Sequence, residues 1–471
     1  MPNNAQDPDV FTGIVLFILL AILGAGLLSL TWNHRTSLQF QVKLFLCALG
    51  TRFLRSIALY YFGLINILKD EDGSGWVTGA SIYKDWLRKG VGLFDLPARL
   101  SEAFGGNHKG YGYMLASMFY ITDAPARLPA AVLNCFIGAL TVVMAYRIAR
   151  SLFSEWVAVR VAWWTCLLPS MVIWSSQTLK EPTVIFLETI VLYGCVRLKV
   201  KGFSLRHIVA CALAIVLVLP FRFYAAYIAG AAVALALMMP QFGKKKLSVG
   251  SAIGVAACIL PIVMMSSVLV SSEAQLERFD LKRIQKFRED IAVGAGSGVT
   301  SSYDFNSPTG LATATAVGGS YLMLAPFPWQ LGGGSVRMVL TTPELIVWWW
   351  VFFVGVLPGM WHAIRTRFNE IQPLLFFLIG LGVLYSLMFG NVGLAYRQRA
   401  QLLPWLLIFA MVGLEERMRR RIAKRSTHTA AIRSSHGIAI PAQNSPAPIG
   451  MPQLGASFPD CPHPQVPGPA Q

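Results

Sequence analysis

Apolar runs close to membrane-crossing length recur along this chain, and they limit what it can fold into more than any other feature. A hydrocarbon core about 30 Å thick takes roughly 20 residues of helix to cross. Such runs lie near 10–32, 44–67, 124–147, 156–175, 181–198, 206–222, 223–240, 248–271, 345–364, 373–391 and 399–416. Of 471 residues, 55% are hydrophobic and only 13% charged, whereas a soluble domain carries roughly 25% charged residues to face water. The expected fold is an all-α polytopic membrane protein with about eleven transmembrane helices. Pro220 and Arg222 alone divide the apolar residues of 206–240 into two spans. Tyr111 to Ile121 is too short to span and reads as a surface or re-entrant helix.

The formal net charge is +17. In a soluble protein this would suggest a nucleic-acid partner; here the cations sit in short connections and a basic tail, so none is expected. Arg35 and Lys43, Arg147 to Arg160, Arg197 to Arg206, Lys244 to Lys246, Arg365 and Arg367, and Arg417 to Arg425 occupy every second connection. By the positive-inside rule those connections are cytoplasmic, the N-terminus is external and the C-terminus cytoplasmic. Residues 69–110, 177–182, 272–344 and 391–399 then lie outside. No cleavable signal is expected, since no basic residue precedes the first apolar run. The transmembrane domain is expected over 1–421. Residues 422–471, rich in Ser, Ala, Pro and Gly, read as a disordered cytoplasmic extension.

The expected external side collects the unusual polar residues. Directly after the second span come Asp70, Glu71 and Asp72, then Trp76. A carboxylate cluster beside a span either caps it in water or lines a polar cavity. Lys180 and Glu181 lie in the second external connection, Arg222 interrupts an apolar run, and Arg397 and Arg399 lie in the last external turn. A stretch from Ser272 to Ala292 has apolar residues at helical spacing. No internal repeat of the kind common in transporters is present. Six of the seven cysteines fall in apolar runs, where they act as small hydrophobes, and no zinc, Walker or Rossmann-type spacing occurs.

Several short motifs follow one another in order. Asp72-x-x-x-Trp76-x-x-x-Ala80 precedes Gly110-Tyr111-Gly112-Tyr113 and Leu133-Asn134-x-x-x-Gly138. Then come Tyr146-Arg147-Ile148-Ala149-Arg150 and Pro169-Ser170-x-x-x-Trp174-Ser175. Together they resemble the GT-C type of integral-membrane glycosyltransferases, in particular the protein-mannosyltransferase and aminoarabinose-transferase branch. The resemblance covers residues 60–200 and reappears at Arg397 and Arg399. It implies an enzyme of the bacterial inner (plasma) membrane. Such an enzyme takes a sugar from a polyprenyl-phosphate donor and passes it to a glycan, lipid or protein acceptor outside. It places the general base at Asp72, with Asp70 and Glu71 as the alternatives. Lys180, Arg222, Arg397 and Arg399 would face the departing phosphate, Trp76 would pack on sugar, and the role of Glu181 stays open. No cofactor beyond the donor lipid is implied, and the need for a divalent metal is left open.

Each residue also has a plainer reading. Arg397 and Arg399 could anchor at headgroups, His108 and Lys109 belong to a loop, and Trp348 to Trp350 read as an interfacial belt. Glu188 is expected to pair inside the helix bundle rather than to hold a metal. A polysaccharide polymerase or O-antigen-ligase-like protein is the second function class, and a transporter or flippase subunit the third. A polymerase would concentrate its key residues in 272–344.

Overall fold

The computed structural model describes residues 9–31, 35–65, 71–90, 109–239, 252–260, 280–293, 297–299, 303–333 and 336–435. Its helices in chain order are α1 (Val10–Thr31), α2 (Arg35–Tyr60), α3 (Glu71–Arg88), α4 (Lys109–Thr122) and α5 (Arg127–Leu152). There follow α6 (Glu155–Leu167), α7 (Pro169–Ser175), α8 (Glu181–Lys201) and α9 (Leu205–Met238). After α10 (252–260) come α11 (Leu281–Val293), α12 (Pro308–Leu324), α13 (Val336–Val351), α14 (Leu357–Leu387) and α15 (Val392–Ser435). No strand occurs among the described residues.

The helices pack as membrane helices do. In α1 the large apolar side chains Phe11, Ile22 and Leu30 face outward, which suits hydrocarbon rather than water. Close approach is made through small residues. Gly355 and Gly359, one turn apart, lie directly against the backbone of α15 at Phe409, Ala410 and Gly413. A side chain at either glycine would collide with that backbone.

Among the described residues, four helical segments are long and apolar enough to cross a membrane: Val10–Thr31, Arg127–Leu152, Leu205–Met238 and Thr342–Leu387. The pair α6 and α7, bent by 56°, is a fifth if it counts as one broken span. The expected eleven are not reached by this criterion, for identifiable reasons. Helix α2 carries Lys43, Arg52 and Arg55, α8 carries Glu181, Glu188, Arg197 and Lys199, and the apolar part of α15 is bounded by Arg397 and Arg399 before it and by Glu415, Glu416 and Arg417 after it. Most of 248–271 lies outside the described residues.

Two of the four segments fold back on themselves. Gly254 of α10 packs against both Ile208 and Leu237, near opposite ends of α9, which a straight helix would hold about 40 Å apart. Arg222 supplies the reversal, with φ −156° and ψ 84° inside the helical run. Pro220 removes a backbone donor just before it. Lys199 Nζ at the end of α8 accordingly reaches Met239 O, 3.3 Å away, at the end of α9. The run Thr342–Leu387 likewise turns at Arg367 (φ −139°, ψ 30°). Glu344 and Tyr385, on either side of that turn, both contact the first part of α15, through Tyr396 and Gln401. Arg367 itself donates to Leu152 O at the far end of α5.

These contacts bring together several of the connections that carry basic residues. Arg147 donates to Gln41 and Thr31, Arg150 pairs with Glu155 at 3.0 Å, and Ser154 donates to Glu415. With Arg367 they form one end of the bundle, here called the basic end.

The chain divides into two compact units after Arg417. The segment 422–435, expected to be disordered, continues α15 to Ser435. The reason is local: Arg, Lys, Met, Ala and Ile dominate 417–425 and favour helix, and the first Pro comes only at Pro441. Residues 436–471 lie outside the described ones.

Candidate functional site

At the other end of the bundle, the short connection before α8 is held from several sides. The Asn134 side-chain amide lies 2.6 Å from Gln177 O, 2.7 Å from Leu179 O and 2.9 Å from the Tyr111 hydroxyl. Thr178 N donates to the Tyr60 hydroxyl, Ser56 Oγ to Ser176 O, and Arg55 to Ser176 Oγ. Such density of bonds is what a buried connection needs, since its backbone groups have no water to turn to. It fixes where Glu181, the first residue of α8, points.

Glu181 is 1% exposed and sits between two guanidinium groups. Its Oε1 is 2.7 Å from Arg222 Nη2 and its Oε2 is 3.0 Å from Arg397 Nη2. Arg222, at the reversal of α9, also donates to the Tyr385 hydroxyl (2.8 Å) and to Gln401 Oε1 (2.7 Å). Tyr385 donates to the same Gln401 oxygen, and Gln401 donates onward to Glu188. Glu188 thus pairs within the bundle. Two cations on one carboxylate leave this triad with a formal charge of +1. Adjacent Lys180 adds another, with its ammonium 5.9 Å from the Trp76 ring centre. Trp76 stands edge-on to Tyr111 at 5.2 Å, so α3 is anchored where the cations gather.

Five of the residues singled out in sequence therefore converge: Trp76, Lys180, Glu181, Arg222 and Arg397. Arg399 stands apart. It is 2% exposed and donates to Met323 O and Ala325 O, tying α15 to the end of α12. Asp70 lies outside the described residues, as do the side chains of Glu71 and Asp72, although both positions belong to helix α3. His108 is outside as well. The aromatic run divides: Trp348 and Trp349 donate to Met323 O and Leu324 O, and only Trp350 is largely exposed. An interfacial belt is thus the wrong reading for the first two, because their indole N–H groups close backbone carbonyls inside the bundle.

Two charged residues in and beside this end escaped the sequence reading. Glu344 accepts from Ser170 N (2.7 Å), from Ser170 Oγ and from the Tyr396 hydroxyl (3.2 Å). Tyr396 lies 6.0 Å from Trp174, over which Arg397 also sits. Arg52, fully buried in α2, donates to Ser175 Oγ (2.7 Å), Cys166 O (3.2 Å) and Thr165 O (3.2 Å). Those two carbonyls are free because α6 stops there. Pro169 has no N–H for Thr165, and the N–H of Ser170 has gone to Glu344. A charge within an apolar run is a functional hypothesis by default, and that rule would have marked Arg52 as it marked Arg222. Glu344 lies in the run Thr341-Thr342-Pro343-Glu344, at the edge of an apolar segment, and gave no comparable signal.

A crevice lined by Arg52, Trp174, Ser175, Pro182 and Ala400 borders the Glu181 cluster. Outside the spans, Asp123 in the turn between α4 and α5 ties α3 down. Its Oδ1 is 3.2 Å from Lys84 Nζ and 2.9 Å from Arg88 Nη2. The hydrogen bond from Lys84, and then that from Arg88, holds the Asp123 carboxyl below the usual carboxylate range. Among the described residues, no group of three or more His, Cys, Asp or Glu could hold a metal ion.

No family model matches the chain, and no curated protein sequence does. Among solved structures, one similar chain is the archaeal oligosaccharyltransferase AglB from Archaeoglobus fulgidus, in complex with an inhibitory peptide and a dolichol-phosphate. The identity is 14% and the TM-score 0.37, over 72% of this chain and 44% of that one. The chain thus spans less than half the length of that protein, and a similarity of this size carries no argument about either fold or activity.

Proposed function

We propose that the chain is a membrane glycosyltransferase of GT-C-like architecture with about eleven spans, moving a sugar from a polyprenyl-phosphate donor to an acceptor on the external face. The acceptor is a glycan, a lipid or a protein. The observation that carries this reading is the convergence of Lys180, Glu181, Arg222 and Arg397 beside Trp76. They come from three separate stretches of the chain, around 180, 222 and 397, and together their charges sum to a net positive. A leaving phosphate gains negative charge as the anomeric C–O bond breaks, and preset cations stabilise that charge most where water is scarce. The acceptor hydroxyl must lose its proton as its oxygen attacks the anomeric carbon. Asp72 is the residue assigned to take it, four positions before Trp76 and so on the same face of α3. Glu181 is a positioning residue in this scheme, orienting both guanidinium groups.

The test is transfer of glycan from the lipid donor by variants at matched membrane abundance. Asp72→Asn keeps the size and removes the basicity, so transfer should fall by on the order of 10²–10⁴-fold, with Asp70→Asn milder. If Glu71→Gln or Asp70→Asn is the dead variant, the base lies one or two residues earlier. Full activity in all three removes the acidic cluster from the chemistry. The polymerase or ligase reading would then take over, with Glu344 in its grip on Ser170 as the natural place to begin.

A further inference from the structure

Where α12 ends, the chain builds a ladder of aromatic rings that the proposed reaction does not use. Tyr321 stacks on Phe389 with ring centres 4.5 Å apart, and Phe327 meets Tyr321 edge-on at 5.1 Å. Trp329 lies parallel to Phe327 within 7°, at 4.7 Å. Phe389 is buried, Tyr321 and Phe327 are half-buried, and Trp329 is 74% exposed. The ladder is held still. A helix end leaves its last carbonyls without partners, and here other helices supply them. Met323 O takes the indole N–H of Trp348 (2.7 Å), Leu324 O that of Trp349 (2.8 Å), and Ala325 O the guanidinium of Arg399 (2.8 Å). The turn carrying the two outer rings is closed twice, by Gln330 N on Phe327 O and by Phe327 N on Gln330 Oε1. Arg399 also lies 4.9 Å from the Tyr396 ring centre, and Tyr396 reaches Trp174, over which Arg397 sits. Contacts therefore run without a gap from the mount of the ladder to the cations around Glu181.

We infer that the open face of Trp329 is a docking surface for a sugar ring of the acceptor, so that the acceptor is itself a glycan; this rests on the transferase reading. One face of a pyranose presents C–H groups while its hydroxyls point outward. Such a face covers a flat indole and keeps its hydrogen bonds at the rim. An indole already fixed by a stacked partner loses little freedom when the sugar arrives. A tryptophan that only marks a membrane surface needs neither the stacked partner nor the fixed mount. The neighbours of Trp329 also offer lipid little, since Phe327 turns inward onto Tyr321 and the chain continues with Gln330, one leucine and three glycines.

The test labels tryptophans of the full-length protein in nanodiscs with a water-soluble hydroxynitrobenzyl reagent, read position by position by peptide mass spectrometry. Trp329 should be among the most reactive. Water-soluble glycan released from the envelope of the producing cells should slow its labelling several-fold, while that of Trp361, also exposed, should not change. Periodate oxidation of the glycan, which cleaves vicinal diols, should abolish the protection. In the transfer assay Trp329→Ala should raise the KM for acceptor by about tenfold, the worth of one stacked ring, and leave kcat and the KM for donor unchanged. Trp329→Phe should recover most of that loss and Trp329→Leu little, because only the first restores a flat face. Labelling that is low in nanodiscs and rises only in detergent would place the ring in lipid and overturn the inference. Absent protection, protection that survives periodate, or an unchanged KM for acceptor in Trp329→Ala would do the same. The labelling needs no donor. Protection without any transfer from a polyprenyl-phosphate donor would strike the proposed reaction and leave the docking surface; transfer with Trp329 unprotected would do the reverse.

Discussion

Arg222 and Arg367 each sit where a long helical run reverses, with non-helical backbone at that single residue, yet their surroundings are opposite. At Arg367 the run has already become polar, through His362, Arg365, Asn369 and Glu370. The arginine is 48% exposed there, and its guanidinium is shared between Leu152 O and Glu370. At Arg222 the flanking residues are apolar or aromatic, and the side chain is 8% exposed. Three groups from three other helices, Glu181, Tyr385 and Gln401, have to come to it. The first reversal can end in water. The second closes only if distant segments deliver partners, so its stability and its site are one construction.

That contrast can be broken most directly at Arg222. Arg222→Met strips one guanidinium from a buried carboxylate, a class of change that costs about 3–5 kcal/mol. Thermal unfolding in detergent should show that loss, Arg222→Ala should lose most transfer activity, and Arg222→Lys should keep part of it, since a point charge replaces only some of a planar fork. A methionine variant as stable and active as the parent would remove the distinction between the two turns.

The partners sharpen it next. Glu181→Gln and Arg397→Gln, alone and combined, form a double-mutant cycle. Residues joined in one network couple by roughly 0.5–3 kcal/mol, and strict additivity would mean that the two groups do not depend on each other. At the exposed turn the expectation is small. Arg367→Gln should shift stability by no more than about 1 kcal/mol, as for exposed ion pairs generally, and a large loss would show that the basic end is as demanding as the site.

Smallest is the tie at Asp123. Because Lys84 and Arg88 hold that carboxyl below the usual range, its contribution is fully present above the unfolded value of about 3.9. It is lost as pH falls through the lower folded value. Hydrogen exchange in α3, corrected for intrinsic rates, should quicken between pH 5 and pH 3, and Asp123→Asn should erase the difference.

What the sequence disclosed follows from the kind of signal each residue leaves. Arg222 stood out because a lone charge in an apolar run has few explanations. Lys180, Glu181 and Arg397 were visible as external polar residues, but their common carboxylate was not, since nothing local in residues 181, 222 and 397 records that they meet. Alternation of basic connections marked Arg147, Arg150 and Arg367 as a group, and these three residues do lie toward one end of the bundle. Tyr385 and Gln401 were passed over as ordinary residues of apolar spans, and Trp348 and Trp349 were misjudged because their hydrogen bonds reach 25 residues back in the chain. The helix over 422–435 was missed because composition was averaged across a tail whose first part differs from the rest.

Arg52 has a consequence for biosynthesis. Its acceptors Thr165 and Cys166 come 113 and 114 residues later. At synthesis rates of about 5–20 residues per second, α2 must wait roughly 6–23 seconds in or near the translocon with a guanidinium that has few local partners. The first two helices therefore become a settled pair only after the sixth and seventh have been made. A chain halted before residue 165 should expose that arginine to membrane quality control, however apolar the rest of its helices are.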